Sequence, residues 1–91
     1  MNIVTEAFTY KLLTATANIC SGDGVLGGVW CSSGTATVTI YDDSGTGTTT
    51  KMVDTFTPTA ATYSPLPFGF ANGCYVVISG TGSITVAYKK G

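Results

Sequence analysis

The stretch spanning residues 18–43, NICSGDGVLGGVWCSSGTATVTIYDD, constrains what this chain can fold into more than any other. It holds two apolar runs, residues 25–31 and 36–41, joined by Ser32-Ser33-Gly34-Thr35. In the second run Ala36, Val38 and Ile40 fall on one side and Thr35, Thr37, Thr39 and Tyr41 on the other. That is the period-2 pattern of a half-buried strand. The first run is apolar on both sides, with Val25, Val29 and Cys31 against Leu26 and Trp30, which predicts a strand covered on both faces. The two runs and their Gly-containing link predict a β-hairpin.

Similar alternation recurs along the chain. Residues 12–20 set Leu13, Ala15, Ala17 and Ile19 against Leu12, Thr14, Thr16, Asn18 and Cys20, predicting one continuous strand. Residues 3–10 carry Val4, Phe8 and Tyr10 on alternate sites and read as a short strand or extended arm. Residues 49–56 set Lys51, Val53 and Thr55 against Met52, Asp54 and Phe56, an exposed edge strand whose charges discourage unwanted pairing. Pro58, Pro65 and Pro67 rule out a central strand over residues 57–73 and predict a long loop or an edge strand. Asn72-Gly73 and Gly80-Thr81-Gly82 read as turns flanking strands over residues 74–79 and 83–89, a closing hairpin. The predicted fold class is all-β: a jelly-roll-like β-sandwich of seven or eight short antiparallel strands. It occupies residues 11–91, preceded by an N-terminal strand or arm over residues 1–10.

Length and composition narrow the function. A chain of 91 residues builds one small core and buries about 60–65% of its unfolded surface. Charged residues make up 10% of it, against about 25% in an average soluble domain. There is no Arg, and Lys11, Lys51, Lys89 and Lys90 are scattered apart from the last pair, so the clustered cations of a nucleic-acid interface are missing. No apolar run is long enough to cross a membrane as a helix, and residues 1–13 lack the pattern of a secretory leader. With a net charge of -1, self-repulsion would do little to keep copies apart, which points to a fixed place in a larger structure.

Catalytic chemistry finds few candidates. Without His, neither a Ser-His-Asp nor a Cys-His arrangement can form. Asp23, Asp42 and Asp43 sit in turn sequences, where Asp serves backbone hydrogen bonding. The 42–46 loop lacks the alternating ligands and closing Glu of an EF-hand. Cys20, Cys31 and Cys74 have no metal-ligand spacing and read as buried free thiols of a protein assembled in a reducing cytosol. The expectation is a non-enzyme with no cofactor and no metal. Large aromatic residues either fill a small core or anchor an interface. The candidate interaction residues are Ile3, Val4, Phe8 and Tyr10 of the arm, Trp30, and Tyr63, Leu66, Phe68 and Phe70 of the Pro-rich segment.

An ensemble of short patterns carries a resemblance: Thr14-Ala15-Thr16-Ala17-Asn18-Ile19, Gly24-Val25-Leu26-Gly27-Gly28-Val29, Thr37-Val38-Thr39-Ile40-Tyr41-Asp42, Pro67-Phe68-Gly69-Phe70 and Asn72-Gly73-Cys74-Tyr75-Val76. Together they resemble small virion β-sandwich proteins of tailed bacteriophages, over most of the chain after Lys11. Cys74 departs from that pattern, where an ordinary apolar residue is expected. The resemblance implies a capsid decoration (cement) protein that binds the outer shell, with the major capsid protein as partner. It further implies self-association, a trimer being one form, and a place in the virion after assembly in the host cytoplasm. The alternatives are a glycan- or receptor-binding module of a head or tail fibre, recognising host-surface glycan, and a minor tail or neck component.

Overall fold

The computed structural model describes residues 9–91. Eight strands follow in order: β1 Thr9–Leu13, β2 Ala17–Ser21, β3 Gly24–Gly34, β4 Thr37–Tyr41, β5 Lys51–Phe56, β6 Thr62–Phe70, β7 Gly73–Ser79 and β8 Gly82–Lys90. They form two antiparallel four-stranded sheets, ordered β1-β8-β3-β6 and β2-β7-β4-β5. The all-β sandwich expected from the sequence is therefore present. One core joins both sheets. Leu13, Leu26, Val29, Cys31, Phe70, Ile84 and Val86 come from the first sheet, and Cys20, Val38, Ile40, Cys74, Val76 and Ile78 from the second.

Only β4 and β5 are both consecutive in the chain and paired, among the described residues. The hairpin expected between residues 25–31 and 36–41 is not formed, because β3 and β4 lie in different sheets. The closing hairpin is absent for the same reason, β7 and β8 being likewise divided. Both links are corners. Gly34 (φ 97°) and Gly80 (φ 99°) take left-handed backbone there, and the Thr35 N–H donates to the Thr81 carbonyl at 3.0 Å, tying one corner to the other. Alternation reports which side of a strand is buried and is silent about which sheet the strand joins.

The continuous strand expected over residues 12–20 is broken in the same way. It divides into β1 and β2 at residues 14–16, where the chain passes between sheets. Thr16 secures this corner: its hydroxyl accepts from the Ile78 N–H at 2.9 Å and lies 3.2 Å from the Ile78 carbonyl, to which it donates. A register shift between Asn18 and Cys20 then sets Ala17 opposite Val76 and Cys20 opposite Cys74 on the core side.

Bulges account for the other departures from simple alternation. In β3, Leu26 stands opposite Tyr88 and Gly28 opposite Ala87, so β3 uses two residues where β8 uses one. That slip puts Leu26 and Val29 in the core and leaves Val25 and Trp30 exposed. The strand is central in its sheet, yet, against the expectation of a strand covered on both sides, the described residues cover only one of its faces. Two register shifts in the β4–β5 pairing bring Lys51 and Asp54, expected on opposite faces, into an exposed ion pair at 3.1 Å. Among the described residues β6 has β3 as its sole neighbour, an edge position that tolerates the missing N–H groups of Pro65 and Pro67.

The end of the sandwich holding the β4–β5 and β6–β7 links is stitched by carboxylates. Asp42 accepts from the N–H groups of Asn72 (2.8 Å), Ala71 (3.2 Å) and Gly73 (3.3 Å). Asp43 accepts from those of Gly45 (2.7 Å) and Gly47 (3.1 Å). Asn18 Nδ2 donates to the carbonyls of Asp43 and Gly45 at 2.8 and 2.9 Å, joining β2 to this loop. Burial pushes the Asp42 carboxyl up, but the three backbone donors outweigh it and hold the group below its ordinary value. A carboxyl lowered in the folded state adds stability that is present above its unfolded pKa and lost as pH falls through the folded value. Asp42→Ala is therefore expected to cost about 1–2 kcal/mol at neutral pH. In urea titrations from pH 7 downward the variant should lose less stability than the parent below the ordinary Asp range. Parallel curves would show that Asp42 contributes nothing through its charge.

Candidate interaction face

The outward side of the β1-β8-β3-β6 sheet collects five of the six large exposed apolar side chains of the described residues, Phe68 being the exception. Leu12 stands opposite Thr85, Thr85 opposite Trp30, and Trp30 opposite Tyr63. Directly paired residues share a face, so these four form one row across all four strands. The adjacent row runs Tyr10, Ala87, Gly28, Pro65, and Val25 lies toward the end of the same face, opposite Lys89 and Gly69. Tyr10 is 72% exposed, Leu12 58%, Tyr63 47%, Val25 45% and Trp30 41%. No residue in these rows is acidic.

Tyr63 is held flat on this surface. Its hydroxyl donates to the Gly27 carbonyl at 2.8 Å, which draws the ring over Gly28. A Cβ at Gly28 would lie 2.6 Å from the Tyr63 hydroxyl and 2.5 Å from the Ser64 carbonyl oxygen. Glycine makes the room, and the ring keeps its free side toward solvent. Such a fixed aromatic loses little entropy when something packs on it.

The outward side of the other sheet is polar by comparison. Asn18, Tyr75, Tyr41 and Lys51 form a row across it. The rings of Tyr41 and Tyr75 are 6.2 Å apart, and the hydroxyls of Thr39 and Thr55 are 2.6 Å apart. The large exposed hydrophobic side chains of the described residues all belong to the first sheet.

Of the residues proposed from sequence, Tyr10, Trp30 and Tyr63 come together on this face. Leu66 is half-buried and packs against the core. Phe68 stands opposite Leu26, on the core side of the edge strand, and is 44% exposed there. Phe70 is a correction: it is a core residue, 4% exposed, seated opposite Gly24, where a side chain would meet its ring. Ile3, Val4 and Phe8 lie outside the described residues. Sequence reasoning missed Leu12 and Val25. Leu12 carried a signal, since it shares its parity with Thr14 and Thr16 while Leu13 takes the apolar side. Val25 carried none, because its exposure depends on the bulge.

Among the described residues no group of His, Cys, Asp and Glu is placed to hold a metal ion. The carboxylates of Asp42 and Asp43 are occupied by backbone N–H groups. What the outward face offers is apolar area on a rigid support. No family model, no curated protein and no solved structure matches this chain.

Proposed function

We propose that this chain is a non-enzymatic structural subunit of a tailed-phage particle, a capsid decoration protein that binds the outer shell through the outward face of the β1-β8-β3-β6 sheet. The observation that carries the reading is the gathering of Tyr10, Leu12, Val25, Trp30 and Tyr63 on one face, in rows of described residues that hold no acidic side chain. Aromatic enrichment and depletion of acidic groups are the composition of an interface core. The partner is the major capsid protein, and many copies on one shell make modest single contacts sufficient. Self-association among neighbouring copies, in trimers or another ring, belongs to the same reading. The nested pairing of β1 with β8, β2 with β7, β3 with β6 and β4 with β5 supports taking the sandwich as a jelly roll. The flat Tyr63 ring favours a second reading, a module stacking on host-surface glycan.

The test counts copies per particle relative to the major capsid protein and measures binding to shells stripped of the protein. A fixed simple ratio is expected. Trp30→Ala should remain folded and weaken shell binding by at least ~10-fold, while Thr37→Ala on the opposite face leaves it unchanged. A handful of copies would move the assignment to a tail, neck or fibre component. Binding to host polysaccharide without shell binding would select the glycan module, and absence from the particle would end the structural reading.

A further inference from the structure

Cys20 and Cys74 are directly opposed partners on the antiparallel strands β2 and β7, and both are buried with their sulfurs unbonded. Directly opposed residues in an antiparallel pair have Cα atoms about 4.5 or 5.5 Å apart, within the range a disulfide spans. Closing the bond needs the Cβ atoms to approach by about an ångström or less. Cys31 has no such neighbour: it stands opposite Thr62 and Ile84 in the other sheet, and its thiol donates to the Ser33 carbonyl at 3.5 Å. We propose that Cys20 and Cys74 form a covalent modification site, closing to an inter-strand disulfide when the protein meets a low-molecular-weight disulfide.

The exchange balances without further reactants. The thiolate of one cysteine attacks the small disulfide, forms a mixed disulfide and releases one small thiol. The second cysteine attacks the mixed disulfide and releases the other. Two protein thiols are oxidised and one small disulfide is reduced to two thiols. In the closed fold this chemistry is slow. Burial pushes the Cys74 thiol up to about 12, with Cys20 and Asp42 adding to the effect, so little thiolate is present to attack.

The route to reaction is through the edge. β2 is five residues long and, among the described residues, pairs only with β7, so its lifting bares both sulfurs at once. Edge strands of this size open well below the cost of global unfolding. Once formed, the bond ties that edge down and closes the chain from residue 20 to residue 74. The occasion for it, release of a particle from a reducing cytosol to an oxidising exterior, rests on the virion reading; the chemistry does not.

The full chain incubated with oxidised glutathione tests the proposal. Cleavage at Asp23 and Asp54 leaves the three cysteines on separate peptides, so the partner of each is read directly by mass. The expected result is a peptide carrying Cys20 joined to one carrying Cys74, with Cys31 free. Dilute urea should speed the reaction several-fold by opening β2, and the product should melt on the order of 10 °C higher. Cys20→Ala should show neither the link nor the rise. A link to Cys31, a covalent dimer, glutathione adducts as the end product, or three free thiols after incubation in urea would each overturn it.

Discussion

Gly34→Ala is expected to remove about 3 kcal/mol or more of stability and to lower the melting temperature by ~15 °C. The residue turns the chain from one sheet to the other with φ 97°, a conformation that costs an L residue about 1–2 kcal/mol. Its added Cβ would also run into the Thr81 carbonyl oxygen and Gly82 Cα. These are backbone atoms of the neighbouring corner, pinned by the hydrogen bond from Thr35, so neither can swing aside as a side chain would. Gly22 supplies the internal control. It has a similar φ of 103°, and a Cβ there would meet nothing within 4 Å. Gly22→Ala should therefore cost about 1 kcal/mol, and the difference between the variants isolates the crowding of the two corners. Equal losses would mean that the corners are not packed against each other. A domain of this size has on the order of 5–14 kcal/mol of stability in total, so the variant would be conspicuous in any urea titration.

The same corners explain how far the sequence could be read. Strand positions were legible because each strand is short, alternates, and stops at Gly or Pro. The pairing was not legible, since the Ser32-Ser33-Gly34-Thr35 link has the composition of a hairpin turn and of a sheet-to-sheet corner alike. What separates the two is the partner. Thr35 bonds to Thr81, a residue 46 positions further on by the numbering, and local composition does not encode a contact that distant. The interaction face was half legible for a related reason. Tyr10, Trp30 and Tyr63 were singled out as aromatic anchors, but their meeting on one face depends on the β1–β8, β8–β3 and β3–β6 registers. Phe70 looked equivalent to Tyr63 by type and position. It is the absence of a side chain at Gly24, on another strand, that gives its ring a place in the core.

The bulge in β3 leads to the second large effect. Leu26→Ala is expected to cost about 3–4 kcal/mol, and Val25→Ala less than about 0.5 kcal/mol. Neighbouring apolar residues in a strand covered on both faces would both be costly to truncate. With the bulge, Leu26 is wholly buried between the sheets while Val25 looks out to solvent, and the extra residue then returns Val29 to the core side and Trp30 to the outside. Trp30→Ala extends the test to the largest side chain in the chain. If the strand alternated regularly between two covered faces, losing this indole would be the most damaging change available, about 3–5 kcal/mol. On an open face at 41% exposure, beside its cross-strand partners Thr85 and Tyr63, the loss should be about 1 kcal/mol. Stability measured for the three variants thus reads the register of β3 directly. A large loss at Leu26 with small losses at Val25 and Trp30 places the aromatic row on the outside, where it is free to be an interface. Large losses at all three would mean that the face is already covered, and a docking role for it would fail along with the bulge.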